Sequence, residues 1–127
     1  EEGRVVLADR YDFSTFAYQG FGRGLDLQEV RRANAIATGG LAPDLYLVLD
    51  LDVEKGLERK GGSGSGDRIE REGVAFLSRV REGYRSLTLE TPSARLVPAG
   101  RERKEVQETL RREMVEAFPE TFSMLEV

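Results

Sequence analysis

Short apolar runs alternate along the chain with longer amphipathic stretches. The runs Val5–Ala8 and Leu45–Leu49 are typical of buried strands, and Leu96-Val97 predicts a third, shorter strand. Between these runs, apolar residues recur every three or four positions, which predicts helices. Because parallel strands that alternate with helices are joined by crossovers, the pattern predicts an α/β fold with a parallel sheet and helices on both faces.

Capping residues and glycines mark the ends of the first two predicted helices. Ser14 is expected to cap a short helix that runs through Gln19 and ends in a glycine-rich stretch. Asp26 is expected to cap the next helix, which Gly39 and Gly40 close. Both helices lie between the first and second predicted strands.

The later helices are marked in the same way. Asp52 is a candidate cap for a helix that ends at Arg59. A longer helix runs from Ile69 until Pro92 stops it, and its apolar stripe, which includes Tyr84, is expected in the core. A last amphipathic helix ends near position 119, and the tail beyond it is expected to fray.

Composition changes this picture mainly by exclusion. The 127 residues carry 19 Lys and Arg against 23 Asp and Glu, a net charge of −4, which excludes a chain-wide basic field for nucleic acid. Cysteine and histidine are absent, which excludes disulfides, Cys/His zinc sites, thiol catalysis and a Ser-His-Asp triad. The longest apolar run is far short of a membrane span, and no leader is visible. We therefore expect a cytoplasmic protein without nucleic-acid or membrane partners.

Polar residues follow two of the predicted strands, at the edge where open parallel sheets bind ligands. Asp9-Arg10 follows the first strand, and Asp50 and Asp52 follow the second. The fork-shaped guanidinium of Arg10 suits a phosphate or carboxylate, and Asp9 suits the water shell of a magnesium ion or the orientation of Arg10. A buried structural ion pair is the alternative for Asp9-Arg10, and helix capping is the alternative for Asp52.

The segment 9–24 concentrates an arginine, hydroxyls, a phenol and an amide within two turns after a strand. A nucleotide needs such a set, because it presents a phosphate, a polar base edge and an apolar ring. A capped helix with core aromatics explains Phe13 and Phe16. It explains Tyr18 and Gln19 less well, and these residues favour a nucleotide site.

These motifs closely resemble the thymidylate kinase family over nearly the whole chain. A single pair such as Asp-Arg is a weak signal, but the blocks together are specific. The matching blocks are Asp9-Arg10-Tyr11, Ser14-Thr15, Ala17-Tyr18-Gln19-Gly20, Gly22-Arg23-Gly24, 37–45, 49–59, 67–70 and 76–84. The resemblance implies a P-loop kinase fold with a five-stranded parallel sheet, of which this chain would supply three strands. It also implies transfer of the γ-phosphoryl group of ATP to dTMP with magnesium, and a homodimer.

By this resemblance, three residues have catalytic roles. Arg10 would hold the dTMP phosphate, and Asp9 would lie near the magnesium ion and the transferred group. Arg68 would belong to a lid that closes over ATP. These roles agree with the chemistry, because phosphoryl transfer needs positioning, positive charge on the moving group and exclusion of water.

The remaining site residues bind the two nucleotides. Thr15 and Gln19 would meet the thymine edge, and Tyr18 would pack against the deoxyribose. The dTMP-binding set is Arg10, Ser14, Thr15, Tyr18 and Gln19. The lid and ATP-binding set is Arg59, Lys60, Asp67, Arg68, Glu70, Ala99 and Arg101.

The chain departs from the family pattern in its phosphate loop. Nothing in the 127 residues matches G-x-x-x-x-G-K-[ST], a motif that the family carries before the strand that leads to Asp9. We therefore expect a single domain over 1–127 that is amino-terminally truncated and that is inactive alone, without the phosphate loop. The alternative is a non-catalytic module that binds dTMP and transfers nothing. A changed nucleotide specificity is disfavoured by the intact block 17–20.

The lid that the resemblance implies runs from Arg59 to Glu70, and its loop, 60–67, is the second departure. Many relatives place several arginines in this loop, whereas here it is almost entirely glycine and serine, a composition typical of a flexible linker. Either Arg59, Lys60 and Arg68 suffice, or the phosphate-loop region supplies the arginine, or the loop has been altered.

Overall fold

The computed structural model describes residues 2–59 and 67–124 of the chain, and of residues 67–72 it describes the backbone alone. The described part is α/β, with six α-helices, one π-helix and two strands. In chain order its elements are α1 (Asp12–Thr15), the π-helix (Phe16–Gly22), α2 (Leu27–Thr38), β1 (Tyr46–Asp50), α3 (Val53–Arg59), α4 (Asp67–Glu90), β2 (Ala94–Pro98), α5 (Arg103–Ala117) and α6 (Pro119–Phe122).

The sheet consists of two parallel strands in the described part of the chain. β1 pairs with β2 in a register that sets Tyr46 opposite Ala94 and Asp50 opposite Pro98. The parallel arrangement confirms the predicted crossover through helices. Complete cover on both faces, as expected for the second strand, is not found, because Leu49 remains 55% exposed.

The strand expected at Val5–Ala8 is not formed, so the prediction of three strands is wrong for this structure. Residues 2–8 have no regular secondary structure, and Val6 and Leu7 are 84% and 81% exposed. An extended apolar segment becomes a strand only when another strand pairs with its N–H and C=O groups. Among the described residues, the two strands pair with each other, and the segment has no such partner.

Local capping signals are confirmed at two helices. The Asp26 carboxylate accepts hydrogen bonds from two N–H groups in the first turn of α2, at 2.9 and 3.4 Å. Gly39 closes that helix with a φ of 64°, which glycine adopts without strain. The Asp52 carboxylate accepts a hydrogen bond from the N–H of Glu54 at 3.0 Å, so Asp52 caps α3 as predicted.

The first helical segment differs from its prediction. It begins at Asp12 and continues as the π-helix to Gly22, so Ser14 lies inside a helix and does not cap it. Gly22 serves close packing, because a Cβ there would lie 2.8 Å from the ring of Phe76 on α4. At the other end of the chain, α6 forms where a frayed tail was expected, with Pro119 in its first turn.

The core lies between the π-helix, α4 and the sheet. On α4, Val80 and Leu87 are buried, which confirms the predicted apolar stripe of that helix. The buried cluster comprises Phe13, Phe16, Ala17, Val48, Val80, Leu87 and Ala94. Within the described residues, no helix is both long enough and apolar enough to cross a membrane.

Candidate functional site

Arg10 occupies an unusual turn at the entrance to α1. Its φ of 70° is in the left-handed region, which residues other than glycine rarely adopt. Its guanidinium carbon lies 5.5 Å from the centroid of the Tyr18 ring, a cation–π distance. Asp9 and Arg10 are both exposed, so the alternative of a buried ion pair is wrong. The structure thus brings an accessible cation next to an aromatic ring.

The π-helix carries Tyr18 and Gln19. The N–H of Arg23 donates to the carbonyl of Tyr18 at 2.9 Å, a span of five residues. Such wider turns are rare and often occur at functional sites. Tyr18 and Gln19 are half-buried and Thr15 is exposed, so all three remain at least partly open to a ligand.

Ser14 joins this segment to α4. Its hydroxyl oxygen lies 2.6 Å from the hydroxyl oxygen of Tyr84. Burial raises the pKa of the Tyr84 phenol, while the bond to Ser14 and the charge of Arg10 lower that pKa. Sequence reasoning assigned Tyr84 to the core alone. The signal that it missed is the hydroxyl, since a tyrosine on an aliphatic stripe needs a hydrogen-bond partner.

Two further residues of α4 hold the π-helix. The ring centroids of Phe76 and Tyr18 are 5.9 Å apart in a tilted arrangement. The Nε of Arg79 donates to the carbonyl of Gly22 at 3.1 Å. Both residues lie in a block that resembles the family, but the sequence alone indicated no role for them.

The start of α1 is attached to the sheet. The Tyr46 hydroxyl donates to the carboxylate of Asp12, with its oxygen 2.9 and 3.1 Å from the two carboxylate oxygens. The rings of Tyr46 and Phe13 stack with centroids 3.9 Å apart. Burial, followed by the bond to Asp12, raises the pKa of Tyr46 strongly. This contact holds the helix that follows Arg10.

The carboxylates of Asp50 and Asp52, at the end of β1, both form contacts with other residues of the chain. Arg81 donates from Nε to one oxygen of Asp50 at 2.9 Å and from Nη2 to the other at 3.2 Å. These bonds hold the pKa of Asp50 below its usual range. Asp52 lies 3.9 Å from Arg81 and caps α3, so both carboxylates have structural roles that link α3, α4 and β1.

Part of the predicted ATP-binding set is brought together after β2. Arg59, at the end of α3, donates to the carbonyls of Ala99 at 3.1 Å and Arg101 at 3.5 Å. The predicted lid residue Lys60 and positions 61–66 lie outside the described residues. The side chains of Asp67, Arg68 and Glu70 also lie outside them, so their roles stay predictions.

Asp9 is the predicted contact to magnesium. In the part of the chain that the structure describes, no three Asp, Glu, His or Cys residues gather as a metal site. A magnesium ion that binds through nucleotide phosphates needs only one or two protein carboxylates. The exposed Asp9 fits that smaller requirement.

Comparison with known proteins identifies the family. The thymidylate kinase of Trichormus variabilis is 52% identical over 93 residues, which cover 72% of this chain and 44% of that protein. The thymidylate kinase of Halothermothrix orenii is 50% identical over 109 residues, which cover 84% of this chain and 52% of that protein. The chain thus spans about half the length of these curated relatives. The family model for thymidylate kinase matches residues 1–110, and the chain belongs to that family.

Proposed function

We propose that this chain contributes the dTMP site of a protein that transfers the γ-phosphoryl group of ATP to dTMP, giving dTDP and ADP. The observation that carries the proposal is the family match over residues 1–110. Within that match, the accessible guanidinium of Arg10 beside the Tyr18 ring supports a site for a phosphate next to a sugar. Membership of the family implies the P-loop kinase fold.

The residues of the proposed dTMP site act by binding and orientation. Arg10 donates to the dTMP phosphate, and Tyr18 packs against the deoxyribose. Thr15 and Gln19 provide the hydroxyl and the amide that hydrogen-bond the thymine edge. Positioning of this kind is the main contribution that a protein makes to phosphoryl transfer.

The proposed ATP side uses the region where α3 ends. The contacts of Arg59 with residues 99–101 support a border for the adenine. Arg68, in the lid, would add positive charge near the transferred group. The magnesium ion that accompanies ATP would neutralise phosphate charge, and Asp9 is the residue that would hold it.

A non-catalytic module that binds dTMP is the second candidate. The observation that favours it is the absence of G-x-x-x-x-G-K-[ST] from the 127 residues. The backbone N–H groups and lysine of such a loop hold the ATP phosphates. Both candidates share the dTMP site, and they differ only in whether a phosphoryl group is transferred to the bound dTMP.

Calorimetric titration of the 127-residue chain with dTMP and dUMP tests the shared site. We expect a preference for dTMP, and Arg10→Ala should weaken dTMP binding about 10- to 100-fold, because a charged hydrogen bond is lost. Arg32→Ala is the matched control, since Arg32 pairs with Glu29 on the exposed face of α2. Equal affinity for the two nucleotides would contradict the thymine site.

A coupled ADP-release assay with dTMP and magnesium-ATP, run on the whole encoded protein, separates the two candidates. Turnover that Arg10→Ala abolishes and Arg32→Ala preserves would support transfer by that protein. Binding of dTMP without turnover would support the module.

The homodimer expected from the resemblance also remains a proposal. The face of α2 around Ala33 and Ala37 is exposed, and Ile36 is 85% exposed, which supports an apolar contact there. Sedimentation of the wild type and of Ile36→Glu would test it, because a buried charge should dissociate the dimer.

A further inference from the structure

Tyr84 is a polar exception on the apolar stripe of α4. Val80 and Leu87, on either side of it along the stripe, are buried, whereas the Tyr84 hydroxyl reaches across to Ser14 at 2.6 Å. A phenylalanine ring would fill the same space in the core. Core packing therefore does not require this hydroxyl.

The Tyr84 hydroxyl belongs to a cluster with residues of the proposed dTMP site. The charge of Arg10 and the phenol of Tyr18 both act on the Tyr84 phenol. Arg10 in turn lies 5.5 Å from the Tyr18 ring. The bond between Ser14 and Tyr84 is thus made in the segment that carries the two groups that would contact phosphate and sugar.

We propose that Tyr84 is a positioning residue of the dTMP site, which acts through Ser14 on Arg10 and Tyr18. The inference rests on the proposed function. Ser14 lies four residues after Arg10 and four before Tyr18, so a bond that fixes Ser14 limits the movement of both. Because the bond comes from α4, it fixes the site against an element distant in sequence.

Contacts other than the bond to Tyr84 hold α1 and the π-helix in place. An effect on dTMP binding can therefore be separated from an effect on stability. Arg79 holds the far end of the π-helix through the Gly22 carbonyl at 3.1 Å. Tyr46 holds the start of α1 through Asp12. The segment therefore stays folded without the Tyr84 hydroxyl, while the part next to Arg10 gains freedom.

The test removes single hydroxyl groups and measures dTMP binding to the full 127-residue chain by calorimetry. Tyr84→Phe and Ser14→Ala each delete one partner of the 2.6 Å contact. Thr88→Val is the matched control, because the Thr88 hydroxyl bonds the backbone carbonyl of Tyr84 at 2.7 Å on the same helix. Thermal unfolding of every variant confirms that the binding temperature lies below its transition.

We expect Tyr84→Phe and Ser14→Ala each to weaken dTMP binding about 5- to 10-fold, as one neutral hydrogen bond would. The double variant should bind about as weakly as either single one, since both remove the same bond. Thr88→Val should bind like the wild type. The ratio of dTMP to dUMP affinity should not change, because the bond acts on the phosphate and sugar contacts.

Three results would overturn the inference, and they are distinguishable. Equal dTMP affinity of the wild type and Tyr84→Phe would remove the positioning role and leave the proposed function intact. An equal loss in Thr88→Val would assign the effect to general loosening of α4. A wild-type chain that does not prefer dTMP to dUMP would overturn the proposed function, and the inference with it.

Discussion

Gly83 lies where α4 presses directly against the π-helix. A Cβ at this position would lie 2.7 Å from Cγ of Phe21 and 2.8 Å from its Cβ and Cδ2. Carbon atoms that are not bonded prefer a separation of about 3.5–4.0 Å. Because the Cβ of Phe21 is attached to the backbone, rotation of the ring does not relieve the contact. Gly83→Ala must therefore displace one helix from the other.

Two opposing effects decide the stability of Gly83→Ala. Alanine is favoured over glycine in a helix interior by about 0.8–1.0 kcal/mol. An extra methyl group in a packed interface costs about 1–3 kcal/mol, and contact with an atom near the backbone places Gly83 in the upper part of that range. We expect the free energy of unfolding to fall by about 1–2 kcal/mol.

Gly73, on the same helix, is the matched control for this substitution. A Cβ there would meet nothing within 4 Å, so Gly73→Ala should raise the free energy of unfolding by up to about 1 kcal/mol. Urea denaturation followed by circular dichroism measures the free energy of unfolding of both variants. The slope of that free energy against urea concentration should equal the wild-type slope. If Gly83→Ala proves as stable as Gly73→Ala, the packing argument is refuted.

Two further predictions concern titratable pairs. Arg81→Met should lower the free energy of unfolding by about 1.5–3 kcal/mol at neutral pH. Because Arg81 lowers the pKa of Asp50 in the folded chain, this difference should be complete above about pH 4 and vanish as the pH falls through the folded pKa. A urea series across that range checks it, and a constant difference would contradict it. Burial raises the pKa of Tyr46, so the wild type should lose stability above about pH 10, where the unfolded phenol ionises. Tyr46→Phe should reduce this alkaline loss in thermal unfolding, and an unchanged loss would exclude Tyr46 as its source.

Local rules predicted the elements whose determinants are local. The Asp26 and Asp52 carboxylates lie one residue before their helices, and Gly39 follows the last turn of α2. Each satisfies backbone groups within a few residues, so the prediction needs no knowledge of the rest of the fold. The stripe on α4 is predictable for a similar reason, because its period depends on the helix alone.

The strand at Val5–Ala8 was predicted wrongly because its determinant is not local. Its apolar, β-branched residues favour an extended chain. In the structure, these residues do not form a helix. A strand requires in addition a neighbour at the right distance, which composition does not contain. The same limit explains why the sheet has two strands in the described residues.

The chemistry of the site was readable from its residue types, whereas its supporting contacts were not. An arginine, a phenol and an amide in one segment after a strand are the kind of set that a nucleotide needs, but α4, which holds them, lies far along the chain. Gly83 and Tyr84 show how that helix acts in two ways. Gly83 packs on Phe21, which is not a residue of the proposed dTMP site, so its substitution should change stability before affinity. Tyr84 adds one hydroxyl that contacts Ser14, four residues after Arg10, so its loss should change affinity before stability. If the two neighbouring substitutions instead changed stability and affinity in the same proportion, α4 would act only as packing, and the site would depend on the fold as a whole.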